Sequence, residues 1–290
     1  MQEILRKLQE RAPTTKSNHH QSTGTNVKCP KCNGIGYIFI KNDKGADIGR
    51  ECECQEQRKQ QILYKNAAIP DQYENYNFKN FEIREDVHKL MLEKMTEYLK
   101  TFPEKKPPPP AFMKLGDKHS IKGPSFGFIA TYGEERIKAI NDPRAKREAL
   151  REHNNFGIGK SHLTIAAAKY LIKCGYRVQV IEDVTFLDDL MQAKMANDKG
   201  ESYNNLLSLI TEYADFIIWD DLGKKSWTKS REDVYYRIFN DLYKLNKPVI
   251  FSSNEDRETL ADKIGHAAAS RLLKGMCNGF LYPVRGKDQR

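Results

Sequence analysis

A glycine-rich turn followed by a lysine and a serine, Gly157-Ile158-Gly159-Lys160-Ser161, opens an apolar helical pattern. Glycines let backbone N–H groups close around phosphate oxygens, a lysine can reach the β and γ oxygens, and a serine hydroxyl can hold Mg²⁺. The N-terminus of the helix adds a partial positive charge. The pattern therefore predicts a Walker A loop for ATP and Mg²⁺, and the acidic strand described below argues against an ordinary glycine turn. The predicted loop residues are Asn155, Phe156, Gly157, Ile158, Gly159, Lys160, Ser161 and His162.

The spacing of this loop has one irregularity. The full pattern has another glycine, separated from Gly159 by four residues, and Asn154 stands at that position. Upstream, an apolar stretch typical of a buried strand ends at Gly133, and joining Gly133 directly to Asn155 would complete the pattern. Either Gly133 keeps its role in the loop, or Asn154, which tolerates left-handed backbone geometry, replaces it.

The segment 134–154 therefore has the character of an insertion within the loop. Eleven of its 21 residues are charged, and its pattern predicts two solvated helical pieces broken at Pro143. We expect the insertion either to bulge away from the nucleotide or to weaken its binding.

Acidic residues follow a second apolar stretch, which begins at Asp215 and ends at Asp220 and Asp221. Two carboxylates at the end of a buried strand are typical of a Walker B motif, in which Asp220 would hold Mg²⁺ through water and Asp221 would orient or deprotonate the attacking water. The alternative is an acidic turn after a core strand. A further buried strand ends at Asn254, which could sense the γ-phosphate or simply cap the next helix.

Strands that alternate with helices predict an α/β fold, with a parallel sheet flanked by helices and its ligand at the carboxyl ends of the strands. A chain of 290 residues has room for one such domain and a smaller module. The predicted organisation is an N-terminal helix and flexible linker at 1–28, a zinc-binding module and basic helix at 29–66, a linker and packing helix at 67–122, and the ATPase domain at 123–290.

Four of the six cysteines fall close together, as Cys29-x2-Cys32 and Cys52-x-Cys54. No export signal precedes them, so a structural Zn²⁺ site is a better interpretation than disulfides. Such spacing can place four thiolates tetrahedrally around one ion.

Composition sets the class of protein and the kind of partner. The net charge of +9 favours a polyanion as partner. No apolar run approaches the roughly 20 residues of a membrane span, so we expect a cytoplasmic protein with no membrane partner. Residues 68–81 bring four aromatic side chains into ten residues, and we expect them to pack on the ATPase domain as a strap rather than to stack on bases.

Taken together, these motifs resemble the bacterial and phage DnaC/DnaI-type replicative helicase loaders, which are AAA+ P-loop ATPases. The resemblance rests on the cysteine module with its basic helix, the Ala-x-Ile-Pro segment at 67–70, the Walker loop, the Asp-Asp-Leu-Gly box at 220–223 and the Ser-Ser-Asn strand end at 252–254. It implies that the N-terminal module binds a replicative helicase while the ATPase domain binds ATP and single-stranded DNA.

The same resemblance implies two further site residues. Arg271, in a Ser-Arg-Leu sequence, would act as an arginine finger on ATP bound by a neighbouring subunit, and Arg285 would be a sensor-2 arginine. A finger supplied in trans implies a homo-oligomer, or a hetero-oligomer with the helicase. Two alternatives remain, namely an IstB-type transposition helper ATPase and a non-catalytic zinc adaptor with a degenerate nucleotide site.

Overall fold

A computed structural model of the chain describes residues 29–41, 45, 47–108, 121–153 and 156–286. The predicted N-terminal helix and linker at 1–28 lie outside these residues. The strands are β1 Tyr37–Lys41, β2 Asp47–Glu51, β3 Phe126–Ala130, β4 Val178–Glu182, β5 Phe216–Asp220, β6 Val249–Ser252 and β7 Leu281–Val284.

Helices alternate with these strands along most of the chain. The helices are α1 Glu53–Asn66, α2 Asp86–Leu99, α3 Glu134–Lys138, α4 Pro143–Glu152, α5 Lys160–Lys173, α6 Asp183–Met195, α7 Glu201–Ser208, α8 Lys229–Leu245, α9 Arg257–Ile264 and α10 His266–Ala269. A 3-10 turn lies at Asp71–Tyr73, and π-helical segments lie at Leu209–Tyr213 and Ser270–Met276.

The core of the molecule is a five-stranded sheet with the order β4-β5-β6-β3-β7, and every neighbouring pair is parallel. The whole of β3, β5 and β6 is buried, because helices cover both faces of the sheet. One apolar cluster joins the sheet to α2 and α5, and a second joins its other face to α6, α8 and α9. The predicted α/β fold is confirmed, and all the parallel strands point their carboxyl ends to one edge.

The described part of the segment 134–154, which we predict to be an insertion, forms two helical pieces, as its sequence predicts. The first is α3, and the second is α4, which begins at Pro143. Proline suits the first turn of a helix because the N–H it lacks would have no partner there. The side chain of Asp142 caps α4 by accepting from the backbone N–H of Ala145 at 2.8 Å.

Helices α1 and α2, which precede β3 in the chain, pack onto the sheet domain. Helix α1 contacts α5 and β4, and the carbonyl of Ala67 accepts from the backbone N–H of Val180 at 2.9 Å. Helix α2 buries Met91, Met95 and Tyr98 against the core, as a packing helix should. Among the described residues, no helix combines the length and apolarity needed to cross a bilayer.

Candidate functional site

The predicted phosphate loop leads directly into the first turn of α5. Gly157 and Gly159 have φ values of +66° and +86°, which is the left-handed region that glycine adopts at little cost. Lys160 is the first residue of the helix. Backbone N–H groups at this end of α5 have no partner within the helix, so the loop is suited to an anion.

The first Walker B acid is held at both of its carboxylate oxygens. Asp220 ends β5 and is only 3% exposed. Its Oδ1 accepts from the Ser252 hydroxyl at 2.6 Å, and its Oδ2 accepts from the Tyr73 hydroxyl at 2.9 Å. Charge-assisted hydrogen bonds of this length fix the position of the carboxylate at the carboxyl edge of the sheet.

Two hydrogen bonds through Asn254 connect Lys160 of the phosphate loop to Asp221, the second Walker B acid. Lys160 Nζ donates to Asn254 Oδ1 at 2.7 Å, and Asn254 Nδ2 donates to Asp221 Oδ1 at 3.1 Å. Asn254 does not cap the following helix, because Asp256 caps α9 by accepting from two backbone N–H groups. The helix-cap interpretation of Asn254 is therefore wrong, and a role in sensing the γ-phosphate remains a prediction.

Burial sets the electrostatics of this network. Lys160 is 5% exposed, and burial lowers its pKa to about 8, although Asp221 and Asp220 oppose the shift. Burial, together with the nearby Asp220 carboxylate, raises the pKa of Asp221. A partly buried acid with a raised pKa can accept a proton from water more readily than a fully exposed carboxylate can.

The pKa of Lys160 predicts a pH dependence of nucleotide binding. With a pKa of about 8, Lys160 is mostly charged at pH 7 and mostly neutral at pH 9. ATP affinity of the wild type should therefore fall about tenfold between these values, measured by calorimetry with Mg²⁺ present.

Unfolding of the protein at high pH would not explain the expected fall in ATP affinity. The folded-state pKa lies below that of an unfolded lysine, so the nucleotide-free protein gains stability from this group as pH rises through 8 towards 10. Lys160→Arg keeps its charge at both pH values and should lose the dependence, whereas an equal fall in this variant would assign the effect to another group.

A cavity of about 590 Å³ lies over this network, within the range of small-molecule sites. The phosphate-loop residues that line it are Phe156, Gly157, Ile158, Gly159, Lys160, Ser161 and His162. Asp221 and Asn254 also face it. Hydroxyl and carboxylate oxygens suit Mg²⁺, so Ser161 and Asp220 could hold the ion, which would neutralise phosphate charge.

Residues of the aromatic strap also line the cavity and pack against the phosphate loop. The Tyr76 ring stacks on His162 at 4.6 Å between centroids, and Phe81 meets the same imidazole edge-on at 5.3 Å. Lys169, buried in α5, donates to the carbonyls of Tyr73 and Glu74 at 2.7 and 2.6 Å. The predicted packing of the strap is confirmed, and sequence reasoning missed that Tyr73, Tyr76 and Phe81 line the nucleotide cavity.

Gly133 contacts α9 in the structure. It precedes α3, and its backbone N–H donates to Asp256 Oδ2 at 2.8 Å. A side chain there would meet Thr259 Oγ1 at 2.1 Å, so its missing Cβ serves the contact with α9. Gly133 is not among the residues that line the described part of the cavity. Asn154 and Asn155 lie outside the described residues.

Neither predicted arginine lines the described part of the cavity. The guanidinium of Arg271 donates to Asn240 Oδ1 at 3.1 Å and to the Ala267 carbonyl at 3.0 Å, and it lies over the Tyr236 ring at 4.7 Å. Arg285 is exposed just after β7. Action of Arg271 on a neighbouring subunit remains a prediction.

The four predicted zinc ligands converge in the structure. The sulfur atoms of Cys29, Cys32, Cys52 and Cys54 all lie within 4.8 Å of one another. The Cys29–Cys52 and Cys32–Cys54 sulfur pairs are 3.8 and 3.4 Å apart. Zn–S bonds of about 2.3 Å in a tetrahedron separate the sulfurs by about 3.8 Å, so this donor set fits Zn²⁺.

Comparison with known proteins assigns the family. The family model of the bacterial DnaA ATPase domain matches residues 123–278, which is more than half of the chain. The chain belongs to this family. The match begins at the boundary predicted for the ATPase domain and includes Lys160, Asp220, Asp221 and Asn254. The sequence prediction of an AAA+ ATPase domain is thereby confirmed.

Individual proteins are also similar to part of this chain. The chain is 27% identical over 120 residues to the chromosomal replication initiator protein DnaA of Caldanaerobacter subterraneus, covering 41% of this chain and 26% of that protein. A putative ATP-binding protein of insertion sequence IS21 from Pseudomonas aeruginosa is 26% identical over 118 residues, covering 40% of this chain and 42% of that protein. The chain thus spans about a quarter of the length of the DnaA relative.

Among solved structures, the DnaC helicase loader shares the fold, with a TM-score of 0.51 and 17% identity. The match covers 74% of this chain and 100% of that one. The predicted likeness to the loader group is confirmed as a likeness of fold.

Proposed function

We propose that this protein is an ATP-dependent loader of a replicative DNA helicase. In this proposal, ATP binds between the phosphate loop and the strap, and the cysteine module holds Zn²⁺ and contacts the helicase. The observation that carries the ATPase part is the continuous contact from Lys160 through Asn254 to Asp221 across the floor of the cavity. In this proposal Lys160 is the cation for the phosphates and Asp221 is the acid for the attacking water, and both contact the side-chain amide of Asn254.

The chain's own residues provide the other requirements of phosphoryl transfer. The loop at Gly157 and Gly159 offers N–H groups to the phosphates, and Asp221, with its raised pKa, is placed to orient and deprotonate the attacking water. Strap residues Tyr73, Tyr76 and Phe81 line the cavity and would shield bound ATP from bulk water, which would strengthen the interactions inside it. Arg271 would complete the site of a neighbouring subunit, so hydrolysis by an isolated monomer should be slow.

A second candidate is an IstB-type helper ATPase for transposition, and the IS21 ATP-binding relative favours it. Both candidates use the same ATPase core, and they differ in the partner. The cysteine module, which lies outside the residues matched by the family model, favours the loader. A pull-down that recovers replicative helicase but no transposase would support the loader, and the reverse result would support the helper.

The direct test measures retention of a replicative helicase on closed circular single-stranded DNA. The wild-type protein with ATP should load the helicase, and no loading at any protein concentration would contradict the proposal. Asp221→Asn should still bind ATP but hydrolyse it about a hundredfold to ten-thousandfold more slowly, because it lacks the base for the attacking water. Phosphate release and ATP binding, measured on the same preparation, check the two halves of this prediction.

A matched control for this variant is Asp188→Asn, since Asp188, on α6, pairs with Lys225 and does not line the described cavity. It should hydrolyse ATP as the wild type does. Equal losses in the two variants would show that Asp221 has no special part in hydrolysis.

A further inference from the structure

Lys224, like Arg84, lines the described cavity but belongs to none of the motifs discussed so far. Lys224 lies three residues after Asp221 and lines the same cavity as Lys160 and Asn254. Lys224 therefore faces the part of the cavity where the phosphates would lie.

The backbone that carries Lys224 is rigid. Its N–H donates to the Asp221 carbonyl and to Asp183 Oδ2, both at 3.1 Å. Asp183 is itself buried and accepts from Trp219 and Tyr235. A Cβ at Gly223, which has a φ of +79°, would lie 2.8 Å from Leu260. The base of the lysine is thus fixed, while its long side chain, 40% exposed, can reorient.

The partner of Lys224 comes from the insertion. Lys224 Nζ lies 3.6 Å from Glu134 Oε2, whereas Lys138 Nζ lies 2.7 Å from Glu134 Oε1. The Glu134 carboxylate therefore keeps a close cation if Lys224 leaves. The backbone N–H of Glu134 donates to the Asn254 carbonyl at 3.0 Å, which fixes this carboxylate beside the nucleotide site.

We propose that Lys224 binds the terminal phosphate of ATP and that Glu134 holds Lys224 when no triphosphate is present. The proposal rests on the ATP-binding function proposed above. A terminal phosphate carries more charge than one carboxylate and accepts several hydrogen bonds, so it outcompetes a partner 3.6 Å away. ADP lacks this phosphate. Lys224 thereby discriminates between the two nucleotides, and the insertion responds to which of them is bound.

The test compares the dissociation constants of ATP and ADP, with Mg²⁺, for the wild type and Lys224→Ala. Loss of a charged hydrogen bond to the terminal phosphate should weaken ATP binding about tenfold or more and change ADP binding less than about twofold. Lys224→Arg should restore most of the ATP affinity. Lys225→Ala is the matched control, because Lys225 pairs with Asp188 at 2.6 Å, and it should leave both constants unchanged.

Equal changes for ATP and ADP in Lys224→Ala, or no change for either, would overturn the assignment of Lys224. Failure of the wild type to bind any ATP would overturn the proposed function instead, so the two failures are distinguishable.

A separate experiment tests the role of Glu134. Glu134→Gln should strengthen ATP binding relative to ADP a few fold, because it releases Lys224. Glu135→Gln, whose parent carboxylate pairs with Lys263 at 2.6 Å, should leave that ratio unchanged. In the Lys224→Ala background the effect of Glu134→Gln on the ratio should vanish, and its persistence would show that Glu134 does not act through Lys224.

Discussion

Lys160→Ala is expected to remove ATP binding and ATP turnover together, with affinity reduced at least about a hundredfold. The lysine begins α5, is 5% exposed, and is the residue of the phosphate loop that joins the loop to Asn254 and Asp221. In a site this buried, loss of the cation leaves phosphate charge without its nearest partner. Calorimetry with Mg²⁺ and ATP measures the binding, and phosphate release with single-stranded DNA measures the turnover.

The same variant should fold normally. Burial already disfavours the charged form of Lys160, which is why its pKa falls to about 8, so replacing it with alanine removes an unfavourable buried charge. We expect its melting temperature without nucleotide to equal or exceed that of the wild type. Lys173→Ala, at the other end of α5, is the matched control and should keep both binding and turnover.

The outcome of this experiment also separates two classes of protein. If Lys160→Ala and the wild type turn over ATP equally, the observed hydrolysis does not come from this site. A non-catalytic zinc adaptor would then explain the molecule better than an ATPase does. The contact between Lys160 and Asn254 favours the ATPase, because burying an ammonium group serves no packing purpose.

Local patterns in the sequence were sufficient for the parts of the site that lie on consecutive residues. The turn before Lys160, the acids at Asp220 and Asp221 and the strand end at Asn254 were each predicted from a short stretch, and parallel strands bring such ends to one edge. The paired cysteines were predictable for a similar reason, because ligand spacing is a local property.

Contacts between distant segments were not predictable in this way. Tyr76 stacks on His162 although 86 positions separate them in the sequence, and neither stretch contains a pattern that predicts this contact. Gly133 was expected to be a candidate for the phosphate loop, yet its local conformation is set by Asp256 and Thr259 on α9. Lys224 had no motif at all, and only its place in the folded cavity gives it a role.

Removal of Zn²⁺ is expected to unfold the β1–β2 hairpin and the cysteine turns while leaving the ATPase domain folded. The buried cluster of this module consists of Cys32, Cys52 and Cys54, with Cys29 and Ile38 packed against it. Both strands of the hairpin are largely exposed, so apolar burial cannot stabilise them. A structural zinc ion supplies roughly 10 to 16 kcal/mol of apparent binding energy, which is more than the few buried side chains of this module can contribute.

Cys54→Ser and chelation should therefore have the same result. We expect loss of bound zinc by elemental analysis, rapid proteolysis within residues 29–52, and unchanged binding of ATP. Cys174→Ala is the matched control, because Cys174 lies in the core beside α5 and away from the cluster, so this variant should keep its zinc. A zinc-free protein whose hairpin stays resistant to protease would show that the module folds without metal. If the hairpin unfolds and ATP still binds, loss of helicase retention on circular DNA would then assign partner binding to this module.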